Sequence, residues 1–251
     1  MDITTFLGAT RQDERWTFDL PERFHGAYGG AFGGLVAACT LVAARSAVPG
    51  REPVALDCHF LRGIPAGRAH ATPTPIHDGR SLQCVSVDVQ SGGRLCARAT
   101  ISFVDRSALD GFERQVASLP AFSSYDDART WPAVAPIAST LDVRSVGAFE
   151  DGDATAVRVP WDGSSAEAAC LAGDMSVGAP VARGVSGTGI THPNPDLSLR
   201  FCGEVATPVV VGHARMERAG IGVGAVRISV WSGETLVAIG SSVSLLLPSR
   251  G

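Results

Sequence analysis

The 251-residue sequence contains no lysine, and all 21 of its basic side chains are arginine. This absence excludes every chemistry that needs a lysine amine, including the lysine of phosphate-binding loops and the Schiff base to pyridoxal phosphate. With a formal net charge of −4, the chain also lacks the basic surface that nucleic-acid binding requires. We therefore predict no nucleic-acid partner.

The sequence has no cysteine pair with C-x-x-C spacing, and its six cysteines are scattered through apolar segments. Such cysteines are typical of buried, reduced thiols in a cytoplasmic protein. The first residues are polar and acidic, without the basic and apolar stretches of an export signal. The histidines lack the spacing of metal ligands, and no dinucleotide-binding loop precedes a helix. The sequence thus predicts a cytoplasmic protein with no metal and no cofactor.

An uncharged stretch from Gly26 to Ala44 is long enough to raise the question of a membrane span. Its five glycines, and the strand-like pattern that follows it, favour a helix buried inside protein. We therefore predict no membrane association.

The two halves of the sequence align without a gap at one fixed offset of 141 positions. Phe60 falls on Phe201, Gly79 on Gly220, Ser91-Gly92 on Ser232-Gly233, Leu95 on Leu236 and Ala97 on Ala238. Internal repetition of this kind decides the architecture before any motif is considered. The sequence predicts one small module present twice, and the same offset places Gly33 opposite Asp174.

Each half is predicted to contain one strand, one helix and a run of antiparallel strands. The predicted helices are residues 30–46 and 165–183. The predicted strands are 15–20, 54–61, 68–76, 82–90 and 94–104, then 155–160, 197–201, 209–218, 223–231 and 235–246. We divide the chain into an N-terminal module (1–105), a linker or covering segment without a repeat partner (106–150) and a C-terminal module (151–251).

One long helix with an antiparallel sheet around it, present twice, is the double hotdog, an α+β fold with two antiparallel sheets each wrapped around a central helix. Residues that carry a family resemblance lie in both halves: Phe32-Gly33-Gly34, Leu41, Ala43-Ala44, Val48-Pro49, Phe60-Leu61-Arg62, Asp78-Gly79-x-Ser81 and 99–103, then Asp174, Asp196-Leu197-Ser198, Phe201 and Leu236-Val237-Ala238. In this order they resemble bacterial acyl-CoA thioesterase II over nearly all of both modules.

The resemblance implies an enzyme that hydrolyses acyl-CoA or a related acyl thioester. It makes Asp174 the base that activates water, and it places two water-positioning groups at Asn194 and Ser242. Asp174 also stands out without the resemblance, because it is the only carboxylate between Ala168 and Val181. A buried carboxylate is unfavourable unless it is paired, so its presence needs a structural or a catalytic reason.

The sequence departs from the family pattern at three positions. Asn194 stands where the family has Thr, Ser242 where it has Gln, and Leu35 where Gln usually follows Phe-Gly-Gly. Asn can still hydrogen-bond a water, whereas Ser is shorter than Gln by two heavy atoms. The base is thus retained while the groups around it differ.

Four residues near the first helix are candidate substrate-binding residues. Gly33 and Gly34 are predicted to let a pantetheine arm approach the helix closely, although helix-to-sheet packing alone would also explain them. His25 precedes the helix and is predicted to meet the substrate carbonyl, unless it only caps the loop. Leu35 is the fourth candidate of this set. Backbone N–H groups at the start of the helix are expected to polarise the carbonyl of the thioester.

Two other functions stay open at this point. A biosynthetic hotdog enzyme acting on a carrier-protein thioester usually needs Asp-x-x-x-x-His, but residues 191–196 carry His192 and Asp196 in the opposite order. A non-catalytic acyl-thioester binding protein is favoured if Asn194 and Ser242 cannot hold a water. In either case we expect a homo-oligomer, because tandem fusion pairs only one set of sheet edges.

Overall fold

The structure is a computed structural model, and it describes residues 1–131, 135–149, 152–162 and 165–248. Short parts of the predicted linker and C-terminal module therefore lie outside the described residues. The helices are α1 Ile3–Phe6, α2 Gly33–Arg45, α3 Pro136–Thr140 and α4 Ser165–Gly184, with 3₁₀ turns at Glu22–Phe24 and Arg106–Ala108. The strands are β1 Thr10–Gln12, β2 Arg15–Leu20, β3 Glu52–Phe60, β4 Gly67–Asp78, β5 Leu82–Ser91, β6 Arg94–Val104, β7 Arg129–Thr130, β8 Arg144–Phe149, β9 Gly152–Arg158, β10 Ile190–Thr191, β11 Asp196–Phe201, β12 Val209–Gly220, β13 Val223–Ser232, β14 Thr235–Leu245 and β15 Leu247–Pro248.

One antiparallel sheet of 13 strands runs through the described parts of both halves, in the order β1-β2-β4-β5-β6-β3-β11-β14-β13-β12-β9-β8-β7. Strands β10 and β15 form a separate two-stranded antiparallel sheet. The prediction of two sheets is corrected here, because the edge strands β3 and β11 pair with each other. This pairing satisfies backbone N–H and C=O groups that two separate sheets would leave exposed at their edges.

The sequence repeat has a direct structural counterpart. Strands β13 and β14 have the bounds of β5 and β6 shifted by the same 141 positions. Asp57 and Ser198, which are equivalent by that offset, face each other across the β3–β11 pair. A local two-fold axis therefore passes between the two halves at this point.

Each long helix contacts the strands of its own half, and the two helices also contact each other. Helix α2 contacts β4, β5 and β6, whereas α4 contacts β9, β12, β13 and β14. All residues from Gly34 to Ala44 are buried, which agrees with their almost uniformly apolar sequence. The helix starts at Gly33 and not at residue 30, because the preceding N–H groups of Ala31 and Phe32 donate to Ile64 and Phe24 carbonyls in neighbouring loops.

The segment predicted as a linker contains three further elements: β7, α3 and β8. Strand β8 pairs with β9 and so extends the sheet. Phe122 and Tyr125 pack on a small apolar cluster formed by Val146, Ala154 and Ala156. The segment therefore covers part of the sheet as well as connecting the halves, and its Asp-, Ser- and Pro-rich composition concealed the strand.

The cysteines are all free, as predicted, but they are not all buried. Four are buried (Cys39, Cys58, Cys96 and Cys170), Cys84 is half-buried and Cys202 is exposed. Among the described residues, no helix is both long and apolar enough to span a membrane.

Candidate active site

A cavity of about 670 Å³ lies between α2, α4 and the loops that lead into and out of the sheet. Its lining includes five buried apolar residues: Val36, Ile64, Ile137, Met175 and Val177. Asp174 is the one carboxylate among the described lining residues. A cavity of this size, largely apolar with a few convergent polar groups, is typical of a small-molecule site.

The Asp174 carboxylate is buried, with 6% of the residue exposed. The Gly34 N–H donates to Asp174 Oδ2 at 2.6 Å, and Asn194 Nδ2 donates to Asp174 Oδ1 at 2.5 Å. Each carboxylate oxygen thus has one protein donor and keeps capacity to accept a hydrogen bond from a water or ligand.

Burial raises the pKa of Asp174 from its ordinary value of 3.8 to about 6. The hydrogen bonds from Asn194 and Gly34 oppose the rise, and the negative charge of nearby Asp196 adds to it. A carboxylate with this pKa is mostly ionised at pH 7 and is a stronger base than an exposed aspartate.

The start of α2 depends on Asp174 because its own sequence offers no cap. The residue before the helix, Phe32, has no side-chain hydrogen-bonding group, so Asp174 from α4 accepts the N–H of Gly34 in its place. Gly33 lines the cavity, and its N–H has no hydrogen-bond partner among the described residues. An unpaired N–H at a helix start can polarise a carbonyl oxygen placed beside it.

The absence of side chains at Gly33 and Gly34 lets the two helices meet. A Cβ on Gly33 would lie 2.8 Å from the Phe60 ring and 2.9 Å from Asp174 Oδ2. A Cβ on Gly34 would lie 2.6 Å from the Cys170 carbonyl oxygen. The predicted close approach to α2 therefore exists, but the group that approaches it is α4.

Asn194 is placed by the short segment that leads from β10 into β11. Its two neighbours are prolines, and their carbonyls accept the N–H groups of Leu245 and Phe60 at 2.8 and 2.7 Å. Proline restricts both its own backbone and that of the residue before it, so this segment is stiff. The Asn194 amide is thus fixed against Asp174, as the sequence-based assignment of both residues to one site expects.

Ser242 is not brought to the carboxylate. Its hydroxyl donates to the Asp196 carbonyl oxygen at 2.8 Å, and within the described chain it neither lines the cavity nor bonds to Asp174. The Val243 N–H holds the Asp196 carboxylate at 2.7 Å. Direct water positioning by Ser242 therefore has no support in the hydrogen bonds of the described residues.

Among the described residues, three of the four predicted substrate-binding residues do not line the cavity: His25, Gly34 and Leu35. His25 is half-buried beside the cavity, and its backbone carbonyl accepts the Ile137 N–H at 3.1 Å. Leu35 is fully buried in the apolar core on α2. Gly33 lines the cavity, whereas Gly34 donates its N–H to Asp174.

Several lining residues were not anticipated from the sequence. Met175, Gly178 and Ala182 follow Asp174 at near-helical spacing on one face of α4, a signal that a search for the helix face around Asp174 would have found. Trp131 and Ile137 come from the covering segment, and Tyr28 and His192 meet at the opening, where the His192 N–H donates to the Tyr28 hydroxyl at 3.2 Å. No local pattern marks these contacts, because they join distant segments.

In the described part of the chain, no group of three or more His, Cys, Asp or Glu side chains is arranged to hold a metal ion. Burial lowers the pKa of His192 and raises that of Tyr28, so both side chains are neutral at pH 7.

The variant Gly34→Ala is expected to lower both activity and stability. The new methyl group would force α2 and α4 apart, and overpacking of this kind typically costs about 1–3 kcal/mol. Melting temperature and hydrolysis rate are the measurements. The matched control is Gly178→Ala on α4, where a Cβ meets nothing within 4 Å; it should retain or slightly raise the melting temperature. Equal melting temperatures for the two variants would contradict the close contact.

Comparison with known proteins identifies the fold. A protein with a hot dog fold from Alicyclobacillus acidocaldarius aligns at TM-score 0.80 and 20% identity over 96% of each chain. The tesB protein of Mycobacterium avium subsp. paratuberculosis aligns at TM-score 0.80 and 18% identity over 97% of each chain. Acyl-CoA thioesterase II TesB2 of Mycobacterium marinum aligns at TM-score 0.77 and 19% identity over 99% of each chain. No curated protein sequence matches the chain.

The chain is thus a hotdog-fold protein along nearly its whole length. Residues 20–104 match the family described as the acyl-CoA thioesterase N-terminal domain, a stretch that includes α2 and its glycines. The predicted resemblance to acyl-CoA thioesterase II is confirmed: residues 20–104 match the acyl-CoA thioesterase N-terminal domain, and the fold is shared with a solved acyl-CoA thioesterase II.

Proposed function

We propose that the chain hydrolyses acyl-CoA or a closely related acyl thioester, with Asp174 as the general base. The observation that carries this proposal is the position of Asp174: a buried carboxylate with a raised pKa, at a largely apolar cavity, beside an unpaired helix N–H. The family match over residues 20–104 supports the thioester class.

In this mechanism a water bound to Asp174 attacks the thioester carbonyl carbon. Asp174 takes one proton from the water as the new C–O bond forms, and the Gly33 N–H stabilises the negative oxygen of the tetrahedral intermediate. The C–S bond then breaks, and the proton passes from Asp174 to the departing thiolate. The products are the carboxylic acid and the free thiol, so one water is consumed and no group remains on the protein.

Asn194 serves this reaction in two ways. Its Nδ2 orients the carboxylate through Oδ1, and its own side-chain oxygen is left to accept a hydrogen bond from the attacking water. Ser242 stays outside this set and acts only through Asp196, whose charge contributes to the raised pKa of Asp174.

The test is release of free thiol from acyl-CoA substrates of several chain lengths, measured as a function of pH. The ionised carboxylate is the active form, so kcat/KM should rise with pH below about 6 and level off above it. The midpoint of this pH profile is expected near 6 mainly because burial raises the pKa of Asp174. Tight binding of acyl-CoA with no thiol release at any chain length would overturn hydrolysis and favour the non-catalytic binding protein.

Cytoplasmic location and assembly into a homo-oligomer stay predictions. The outer face of the sheet is the candidate contact between copies of the chain, and it carries cross-strand ion pairs, including Arg98–Asp88 at 2.6 Å and Arg200–Asp57 at 3.1 Å. An interface there would be polar, unlike the apolar core of most obligate dimers.

A further inference from the structure

Arg62 is the one arginine among the described residues that line the cavity, and the sequence contains no lysine. It lies at the opening together with Tyr28 and Leu61, which are 54% and 49% exposed. Asp174, by contrast, is at the inner end and only 6% exposed. A thioester carbonyl placed at Asp174 therefore has its carrier arm directed outward, past Arg62.

The Arg62 side chain is held in place without being neutralised. The N–H groups of Leu61 and Arg62 both donate to the Cys96 carbonyl, at 2.8 and 3.0 Å. Arg62 Nη1 also donates to the Leu95 carbonyl at 2.8 Å. No ion pair with a carboxylate involves Arg62 in the described part of the chain, so its charge is not neutralised and its other N–H groups stay available to a ligand.

The two loops that form this side of the opening are locked together. The Ala31 N–H donates to the Ile64 carbonyl at 2.8 Å, and a Cβ on Gly30 would lie 3.0 Å from Gly63 Cα. This contact fixes the loop that carries Arg62 against the loop that carries Tyr28. By the repeat offset Arg62 corresponds to Gly203, so the second half of the chain has no equivalent cation.

We propose that Arg62 is a specificity-determining residue that binds a phosphate group at the outer end of the pantetheine arm; this inference rests on the proposed thioester substrate. A guanidinium with free N–H groups in a fixed fork suits phosphate oxygens, and it forms stronger hydrogen bonds to them than neutral donors do. The chain is acidic overall, so a fixed positive charge at the opening also favours the approach of an anionic substrate. Two sources share this chemistry: the phosphate on pantetheine itself and the nucleotide phosphates of CoA.

The experiment compares three substrates with the same acyl group: acyl-CoA, acyl-4′-phosphopantetheine and acyl-pantetheine, which has no phosphate. For Arg62→Ala we expect KM for acyl-CoA to rise about 10- to 100-fold, with kcat nearly unchanged and KM for acyl-pantetheine unaffected. Arg62→Lys should recover part of the loss because it keeps the charge. A rise with phosphopantetheine as well assigns the contact to the pantetheine phosphate, and a rise with acyl-CoA alone assigns it to the nucleotide.

The control is Arg68→Ala, which removes an exposed arginine that does not line the cavity and should leave all three KM values unchanged. Equal KM changes for the three substrates in Arg62→Ala, or no change for any of them, would overturn the role of Arg62. If wild type hydrolyses none of the substrates, the proposed function fails. Calorimetric titration with CoA alone then decides the inference separately: weaker binding to Arg62→Ala than to wild type supports it, and equal binding overturns it.

Discussion

Replacing Asp174 by Asn is expected to lower kcat on acyl-CoA by roughly 10²-fold or more while the protein remains folded. Asn has nearly the same volume and can still accept the Gly34 N–H, and the Asn194 amide can turn to present its oxygen. What is lost is the basic carboxylate oxygen. The rate limb below about pH 6, which reports the titration of Asp174, should disappear in this variant.

The same substitution should raise stability at neutral pH. The folded-state pKa of Asp174 is about 6, above the ordinary 3.8, so wild type is most stable where the group is protonated and loses stability as pH rises through 6. A shift of about two units corresponds to about 3 kcal/mol. The melting temperature of Asp174→Asn relative to wild type should therefore increase between pH 4 and pH 7.

A matched control is available in Asp153, which is also buried and whose pKa is also raised by burial. It pairs with Arg183 and does not line the cavity. Asp153→Asn should therefore leave kcat unchanged. An unchanged kcat in a stably folded Asp174→Asn variant would falsify the assignment of Asp174 as the base.

Local patterns in the sequence were sufficient to predict most of the fold. Strand 94–104 and the central helices follow from hydrophobic periodicity and glycine turns, and the repeat transfers them to the second half. The pairing of β3 with β11 was not predictable in this way, because it depends on how two modules meet. Strand β8 was missed because six residues of weak alternation carry too little signal.

The candidate site shows the same division between local and non-local information. Asp174 could be identified because a lone carboxylate in an apolar helix is chemically conspicuous. The role of Ser242 was inferred from a family position, and the structure directs its hydroxyl to Asp196 instead. Trp131 and Ile137 reach the cavity only through the path of a long connecting segment, which periodicity does not describe.

The second large effect is expected at the ion pair that joins the end of α2 to the start of α4. Arg45 Nε donates to Glu167 Oε1 at 2.9 Å, and Arg45 Nη2 lies 3.4 Å from Glu167 Oε2. The Glu167 side chain is only 1% exposed, whereas that of Arg45 is 31% exposed and also reaches Glu52 at 3.4 Å. The Glu167 charge therefore depends on Arg45, whereas the Arg45 charge is also stabilised by water and by Glu52.

Arg45→Met is expected to lower the free energy of unfolding by about 3–5 kcal/mol, because it leaves the Glu167 charge buried without its partner. Glu167→Met should cost less, since Arg45 keeps water and Glu52. The double variant, with Met at both positions, should recover most of the loss, because two apolar side chains can replace a buried ion pair. Urea unfolding of the four proteins gives these differences from the midpoints and slopes.

Arg98→Met is the control, since it removes one partner of an exposed cross-strand pair with good geometry and should leave the unfolding midpoint almost where it was. If Arg45→Met shifts the midpoint no more than Arg98→Met does, the Glu167 carboxylate does not need Arg45, and the pair does not hold α2 against α4. If the double variant is as unstable as Arg45→Met alone, the loss arises from packing of the arginine side chain and not from an unpaired buried charge.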